Sequence, residues 1–243
     1  MSRRWPTPQV DPSASQLHHD RGHDRAIMLE QDQNEINGRI DRIVGDPDAP
    51  TLTARFFEPE GPFAGETFDL LDLETSDANV FNVADLLAVT FLDVTVRPPA
   101  VRRTLGTDQS RLSLLLSAVR DDVDLWNATD DDLARAEMVW RTLRGYDGIG
   151  QTTAGKLLAR KRPRLIPVVD SVVKDALAAP PGTYWVSLRA ALSDPDRRTR
   201  IEELRPEGLD RRISTLRLLD AAIWMTESRG RNARAVRSER TPQ

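Results

Sequence analysis

The sequence predicts a mainly α-helical protein: a helical bundle with a central helix-hairpin-helix, and a small β-hairpin in the N-terminal third. Three observations lead to this fold class. Several segments repeat apolar residues at helical spacing, two glycines interrupt two such segments at residues 148–150, and short segments with alternating or apolar character surround Gly61 and Gly65. The chain has 243 residues, enough to bury a sizeable core as one large or two small domains.

Composition limits the class of protein. With 39% hydrophobic and 30% charged residues, the chain has the balance of an ordinary soluble protein. No run of about eighteen apolar residues predicts a membrane span, and the first residues lack the apolar core of a signal peptide. Without cysteine, disulfides and thiolate metal sites are excluded. We therefore expect a cytoplasmic protein with no cofactor and no membrane contact.

Residues 1–24 are expected to be a disordered tail, because they are rich in Pro, Ser, Arg, Asp and His and show no periodicity. All three histidines lie in this segment: His18, His19 and His23. The spacing of His19 and His23 would suit a metal on a helix, but Gly22 and the loop-like composition favour a solvated tail. No metal site is predicted.

Residues 25–80 are expected to form an acidic N-terminal region. Apolar residues from Arg25 to Val44 fall at helical spacing, whereas Thr51–Phe57 and Thr67–Leu73 favour a small β-hairpin. Between Leu29 and Asp77, thirteen acids stand against three arginines, a local charge of −10. This excess is interpreted as a solvated face, or as a flank that turns away from a polyanion.

Residues 81–228 are expected to form the helical domain. It begins with a buried helix over Val83–Phe91, which Pro98-Pro99 interrupts, and a core segment over Leu112–Val119. Thr129 is predicted to cap a helix whose first turn carries Asp130, Asp131 and Asp132. Six aspartates lie between Asp121 and Asp132; because these three of them are explained as charges at a helix N-terminus, the group is not interpreted as a metal site. Further helices are predicted over Tyr184–Leu192, Asp196–Leu204 and Leu209–Met225, followed by a basic disordered tail over 229–243.

The central hairpin joins a helix over about Asp131–Gly145 to one over about Gln151–Lys161. Gly148 and Gly150 allow backbone conformations and close approaches that a Cβ would obstruct, while Ile149 is expected to point inward and fix the two helices together. The free N–H groups that begin the second helix, next to the glycine turn, form a seat for an anion. The predicted phosphate-binding residues are Gly148, Ile149, Gly150, Gln151, Thr152, Thr153, Lys156, Arg160 and Lys161.

The charge around this hairpin indicates a polyanionic partner. From Trp140 to Arg164 the chain carries seven basic residues and one acid, Asp147, for a local charge of +6 in a chain of net charge −4. Such a field is most simply matched by a nucleic-acid backbone, so duplex DNA is the expected partner.

The spacing of these residues resembles a known motif. Leu143, Tyr146, Gly148, Ile149, Gly150, Ala154, Leu157 and Leu158 follow the pattern of the helix-hairpin-helix of DNA-binding proteins. Twenty residues after Gly150 comes Asp170, preceded by Ile166-Pro167-Val168-Val169. The chain thus resembles the endonuclease III-like DNA glycosylase superfamily, and as a whole it is similar to a bacterial family of unknown function. The resemblance implies a catalytic role for Asp170 in base excision.

The sequence departs from the glycosylase pattern at three points. Thr152 occupies the position of the lysine nucleophile of bifunctional members, so the resemblance implies a monofunctional glycosylase without lyase activity. The absence of cysteine excludes the four-iron cluster of many members. Ser171-Val172-Val173 replaces the usual Thr-His-Val-like triplet after the aspartate.

Other interpretations remain open. Asp170 precedes a helical segment and could act only as its N-cap, although a glycosylase would place its aspartate at such a position too. A flipped base needs a pocket with an aromatic wall, for which Trp140, Tyr146, Trp185 and Trp224 are candidates that could equally belong to the core. The alternatives to a glycosylase are a non-catalytic DNA-binding module and a protein-interaction domain on the same fold.

Overall fold

The computed structural model describes residues 30–239, which contain thirteen α-helices and no β-strand. The predicted mainly α-helical fold class is confirmed. The segment 1–24 and its three histidines lie outside the described residues.

The helices are short, and most are joined by turns of a few residues. In chain order they are α1 (30–44), α2 (Ala49–Phe56), α3 (Thr67–Leu70), α4 (Val83–Ala88), α5 (Pro98–Arg102), α6 (Gln109–Ser117), α7 (Asp130–Arg144), α8 (Gln151–Lys161), α9 (Ser171–Leu177), α10 (Tyr184–Ala191), α11 (Pro195–Glu202), α12 (Thr215–Glu227) and α13 (Arg231–Ser238). Single turns of 3₁₀ helix follow α4 (Val89–Leu92) and precede α7 (Leu125–Asn127), and a π-helical turn (Arg103–Thr107) follows α5.

Helix α12 lies at the centre of the bundle. Its sequence is apolar almost all round, with Leu218, Ala221, Ala222 and Met225 fully buried, as expected of a helix surrounded by others. It packs against α2, α9 and α11, while α7 packs against α6 and α8. One cluster of buried apolar side chains runs from Ile36 to Val236. The acidic N-terminal region and the helical domain therefore share a core.

The acidic N-terminal region is tied to the C-terminal third by ion pairs. Asp41 of α1 accepts hydrogen bonds from Arg197 and Arg200 of α11, at 2.7–2.9 Å. Asp69 of α3 is paired with Arg217 of α12 at 3.0 Å. Part of the acidic excess that the sequence shows is thus neutralised inside the fold rather than presented to solvent.

The predicted β-hairpin is wrong. Its two proposed strands are the helices α2 and α3, as Leu52 and Phe56, four residues apart, are buried on one face of α2. Pro50 lies in the first turn of α2, where a missing N–H costs nothing. A segment this short fits a strand and a helix almost equally well, and contact with α12 favours the helix.

Two further expectations are corrected. Pro98 and Pro99 do not interrupt the buried helix, which has already ended at the turn Val89–Leu92; they open α5. The expected disordered tail is a helix over Arg231–Ser238, with Ala233 and Val236 buried. Arg237 anchors this helix by donating to the backbone carbonyls of Met225 and Ser228.

The first turn of α7 carries the helix-terminal charges that the sequence predicts. Thr129 and Asp132 form a reciprocal capping box, in which each side chain accepts the other's backbone N–H. Arg120 donates to both oxygens of Asp132 at 2.9 Å, and this contact holds the pKa of Asp132 down at about 2. Over the described range, no cluster of three or more acidic side chains could hold a metal ion, and no helix could span a bilayer.

Candidate functional site

The hairpin connects α7 and α8 as the sequence predicts. The predicted second helix, Gln151–Lys161, is confirmed at both ends, and α7 ends at Arg144. Tyr146 and Ile149 are 4% and 5% exposed, so both residues point into the core. Trp140 of α7 donates its indole N–H to the carbonyl of Gln151 at 3.2 Å, which fixes the two helices directly.

The two glycines have different roles. Gly148 has φ +87°, and a Cβ there would lie 2.8 Å from the Cβ of Arg97. Gly150 has φ −85° and is the N-cap of α8, with open space where a Cβ would be. Gly148 is thus required by the turn itself, whereas Gly150 leaves the first N–H groups of α8 open to an approaching anion.

The predicted row of exposed cations along α8 is wrong. Arg160 and Lys161 are each 5% exposed and both contact the buried carboxylate of Asp85, with Lys161 at 2.5 Å. The guanidinium of Arg160 also donates to the carbonyls of Asp69 and Leu71. These two side chains hold the segment between α3 and α4 against α8, and they cannot reach a phosphate on the surface.

Arg162 and Lys156 are also buried. Arg162 is 1% exposed and makes five hydrogen bonds, four of them to backbone carbonyls, including those of Ala78 and Val119. Lys156 is 5% exposed and donates to the carbonyl of Leu92 at 2.5 Å. The predicted local charge of +6 depends on seven basic residues. Four of the seven are therefore buried and bind groups inside the protein.

Cations from another part of the chain surround the hairpin instead. The side chain of Arg97 lies against Gly148, and the guanidinium of Arg103 lies 4.2 Å from the centre of the Tyr146 ring. Arg144, at the end of α7, is exposed and lies over Trp140. Arg97 and Arg103 were not predicted from the sequence, where their only signal is the basic composition of the segment RPPAVRR at 97–103.

Asp170 is the N-cap of α9, as the sequence analysis predicts for one of its two roles. Its Oδ1 accepts the backbone N–H of Val173 at 2.9 Å. Its other oxygen has no hydrogen-bond partner within residues 30–239 and is not among the fully buried polar atoms. Capping thus uses one oxygen of the carboxylate and leaves the second available.

Asp170 borders a pocket of about 280 Å³. The aromatic side of the pocket is formed by Phe56, Phe63 and Trp224, whose ring centres lie 5.7–6.2 Å apart, and by Phe91 at the edge. The polar side carries Asp93, Lys156, Asp170, Arg217, Asp220 and Asn232. The pocket joins the loop after α2, the 3₁₀ turn after α4, and helices α8, α12 and α13.

At the pocket, two carboxyl groups share one guanidinium. The buried guanidinium of Arg217 contacts both Asp69, at 3.0 Å, and Asp220. Burial raises the pKa of Asp220 to about 7, the nearby Asp170 adds to the rise, and Arg217 and Lys156 oppose it. Burial also lowers the pKa of Lys156, against the attraction of Asp170, Asp220 and Asp93.

Of the four aromatic residues proposed for a base pocket, only Trp224 borders it. Trp140 and Tyr146 stabilise the hairpin, and Trp185 packs against the core on α10. Phe56, Phe63 and Phe91 were not predicted from the sequence, because the segments that carry them come together only in the folded chain.

A comparison with protein-family models identifies the family of this chain. The model described as a family of unknown function, DUF6308, matches residues 49–227, so the chain belongs to this family. No curated protein and no solved structure matches the chain.

Proposed function

We propose that this member of the DUF6308 family binds duplex DNA through its hairpin and hydrolyses the N-glycosidic bond of a flipped nucleotide in the adjacent pocket. The observation that carries the proposal is the free oxygen of Asp170 in a pocket with aromatic walls. Helix α8 links the two parts: it begins at the hairpin, and Lys156, about 9 Å further along its axis, borders the pocket.

The pocket has the features that excision of a base requires. Phe56, Phe63 and Trp224 give the pocket an apolar aromatic side for a base that has left the stack. The free oxygen of Asp170 supplies negative charge for the oxocarbenium-like sugar that forms as the bond to the base breaks. Its fixed position as a helix cap means that little reorganisation is needed during the reaction.

The hairpin supplies the contact with the DNA backbone. The open N–H groups after Gly150 suit a phosphate, and positive charge is added by Arg97, whose side chain lies against Gly148, and by Arg144 at the end of α7. The cations that support DNA binding are therefore not those predicted from the sequence, since Lys156, Arg160 and Lys161 are buried.

Base release measures the proposed activity directly. We expect the full chain to release a base from at least one duplex oligonucleotide in a panel of damaged or mismatched bases, under single-turnover conditions. Asp170→Asn should lower that rate by on the order of 10²-fold, because the amide lacks the negative charge that stabilises the sugar cation.

A matched control separates catalysis from capping. Asp194 is the N-cap of α11 and does not border the pocket. Asparagine caps helices about as well as aspartate, so both Asp170→Asn and Asp194→Asn should fold, and only the first should lose activity. No release from any substrate by the wild type, or equal rates for Asp170→Asn and wild type, would reject the proposal. Salt-sensitive binding without release would leave a DNA-binding module.

A further inference from the structure

A second carboxyl group reaches the same pocket. Asp220 is 6% exposed; one of its oxygens contacts Arg217, and the other has no hydrogen-bond partner in the described part of the chain. That oxygen is not among the fully buried polar atoms, so it meets the space of the pocket. Asp170 and Asp220 thus border the same pocket, and each has one oxygen without a hydrogen-bond partner among the described residues.

The surroundings of these two groups differ. Asp170 is half-buried at the start of α9, and one of its oxygens accepts a backbone N–H. Asp220 lies deeper and shares one guanidinium, that of Arg217, with a second buried carboxyl group, Asp69. One cation cannot neutralise two buried carboxylates, so this group of three side chains favours the uptake of one proton.

Charged and titratable groups approach Asp220 from four other elements. Lys156 comes from α8, Asp170 from the start of α9, Tyr184 from α10 and Asp69, through Arg217, from α3. Burial raises the pKa of Tyr184 well above its ordinary value, which leaves the phenol neutral. Burial also raises the pKa of Asp69. Lys156 is the second cation near Asp220, after Arg217, but its Nζ donates to the carbonyl of Leu92.

We propose that Asp220 is the general acid of the excision reaction and donates its proton to the leaving base while Asp170 stabilises the sugar. The proposal rests on the proposed function and assigns a second catalytic residue to the same pocket. Two carboxyl groups at one site, held in different environments, are the usual basis of such a division of roles.

The step balances with water as the only other reactant. The bond between C1′ and the base nitrogen breaks, its electron pair stays with the base, and the proton of Asp220 moves to the base. Water then adds to C1′, and the proton it loses passes to the Asp220 carboxylate, which restores the starting state. The products are a neutral free base and a sugar with a hydroxyl at C1′.

The leaving group provides the test. A base that already carries a positive charge, such as 7-methylguanine, leaves as a neutral molecule without protonation, whereas hypoxanthine or uracil gains from a general acid. Asp220→Asn in the full chain should lower single-turnover release of a neutral base by on the order of 10²-fold more than release of 7-methylguanine. The wild-type rate for the neutral base should fall as the pH rises through about 7.

Asp69→Asn is the matched control, because Asp69 shares Arg217 with Asp220 but does not border the pocket. With Asp69 neutral, Arg217 stabilises the Asp220 carboxylate more strongly, so the fall in rate should move to lower pH rather than vanish. The pH profile of this variant also tests the proposal if Asp220→Asn fails to fold.

The outcomes distinguish the two proposals. If the wild type releases neither kind of base, the proposed function fails and the role of Asp220 falls with it. If the wild type releases bases but Asp220→Asn affects both kinds equally, or the wild-type rate for a neutral base does not depend on pH near 7, Asp220 is not the general acid. Release of charged bases alone would overturn the assignment as well.

Discussion

The two glycines of the hairpin look equivalent in the sequence, but they differ in backbone conformation. Gly148 lies in the left-handed region at φ +87°, and an added Cβ would also meet Arg97 at 2.8 Å. Gly150 has an ordinary φ of −85° and no atom within 4 Å of an added Cβ. Only Gly148 is therefore a conformational requirement of the hairpin.

A matched pair of alanine substitutions tests this difference. Gly148→Ala should lower the free energy of unfolding by about 1–2 kcal/mol from the left-handed conformation alone, and the contact with Arg97 should add to the loss. Gly150→Ala should cost less than about 1 kcal/mol, since alanine is only a poorer N-cap. Urea denaturation of the two variants measures both values; equal losses would contradict the assignment.

At the scale of the element, α8 has two functions that divide along its length. Its first turn faces the hairpin opening, while its last turn and the residue after it hold the segment between α3 and α4. Arg160, Lys161 and Arg162 bind carbonyl groups and polar side chains between Asp69 and Asn79. That segment has little regular structure, so these cations satisfy backbone acceptors that no ladder or helix satisfies.

Arg162→Lys tests the importance of this contact. The guanidinium of Arg162 makes five hydrogen bonds in a fixed planar arrangement, whereas an ammonium has three donors. At least two acceptors would lose their partner, so the free energy of unfolding should fall by on the order of 3 kcal/mol. Arg164→Lys is the control, because Arg164 is exposed and pairs only with Asp124; its loss should be below about 1 kcal/mol. Similar losses in urea denaturation for the two variants would contradict the role of Arg162.

Helix α8 also shows what the sequence can and cannot predict. Its ends were predictable from the glycines before it and from the apolar spacing of Ala154, Leu157 and Leu158, which are all local signals. The burial of Arg160 and Lys161 was not, because their partner Asp85 lies about 75 residues earlier in the chain. A run of charged residues normally indicates a solvated surface, and nothing local marks this exception.

The same reasoning applies to the candidate site. Asp170 was predictable from its distance to Gly150 and from the helix that follows it. Asp220 was not, because it lies in an apolar helix at a position that periodicity assigns to the core, where a carboxyl group has no predictable partner. The aromatic wall combines Phe56, Phe63 and Trp224, from distant parts of the chain, and only the packing of α2 against α12 brings them together.

At the scale of the whole molecule, the net charge of −4 does not show which charged residues are paired and which are not. Arginines of the C-terminal third pair with N-terminal acids, as Arg197 does with Asp41 and Arg212 with Glu74. Arg97 and Arg144, in contrast, form no ion pair within residues 30–239 and lie in the segments that flank the hairpin. These two arginines thus supply the unpaired positive charge that the proposed function needs beside the hairpin.

The salt dependence of DNA binding tests this arrangement. Each phosphate contact releases counterions, so the logarithm of the binding constant falls against the logarithm of salt concentration by about 0.9 per contact. Arg97→Ala and Arg144→Ala should each reduce the slope for a duplex oligonucleotide by about that amount, because each removes one free cation beside the hairpin. Arg212→Ala removes an exposed arginine that Asp210 and Glu74 already neutralise, and it should leave the slope unchanged. If all three variants kept the wild-type slope, the hairpin would not be the DNA-binding surface; if Arg212→Ala alone reduced the slope, the DNA would lie on another face of the bundle.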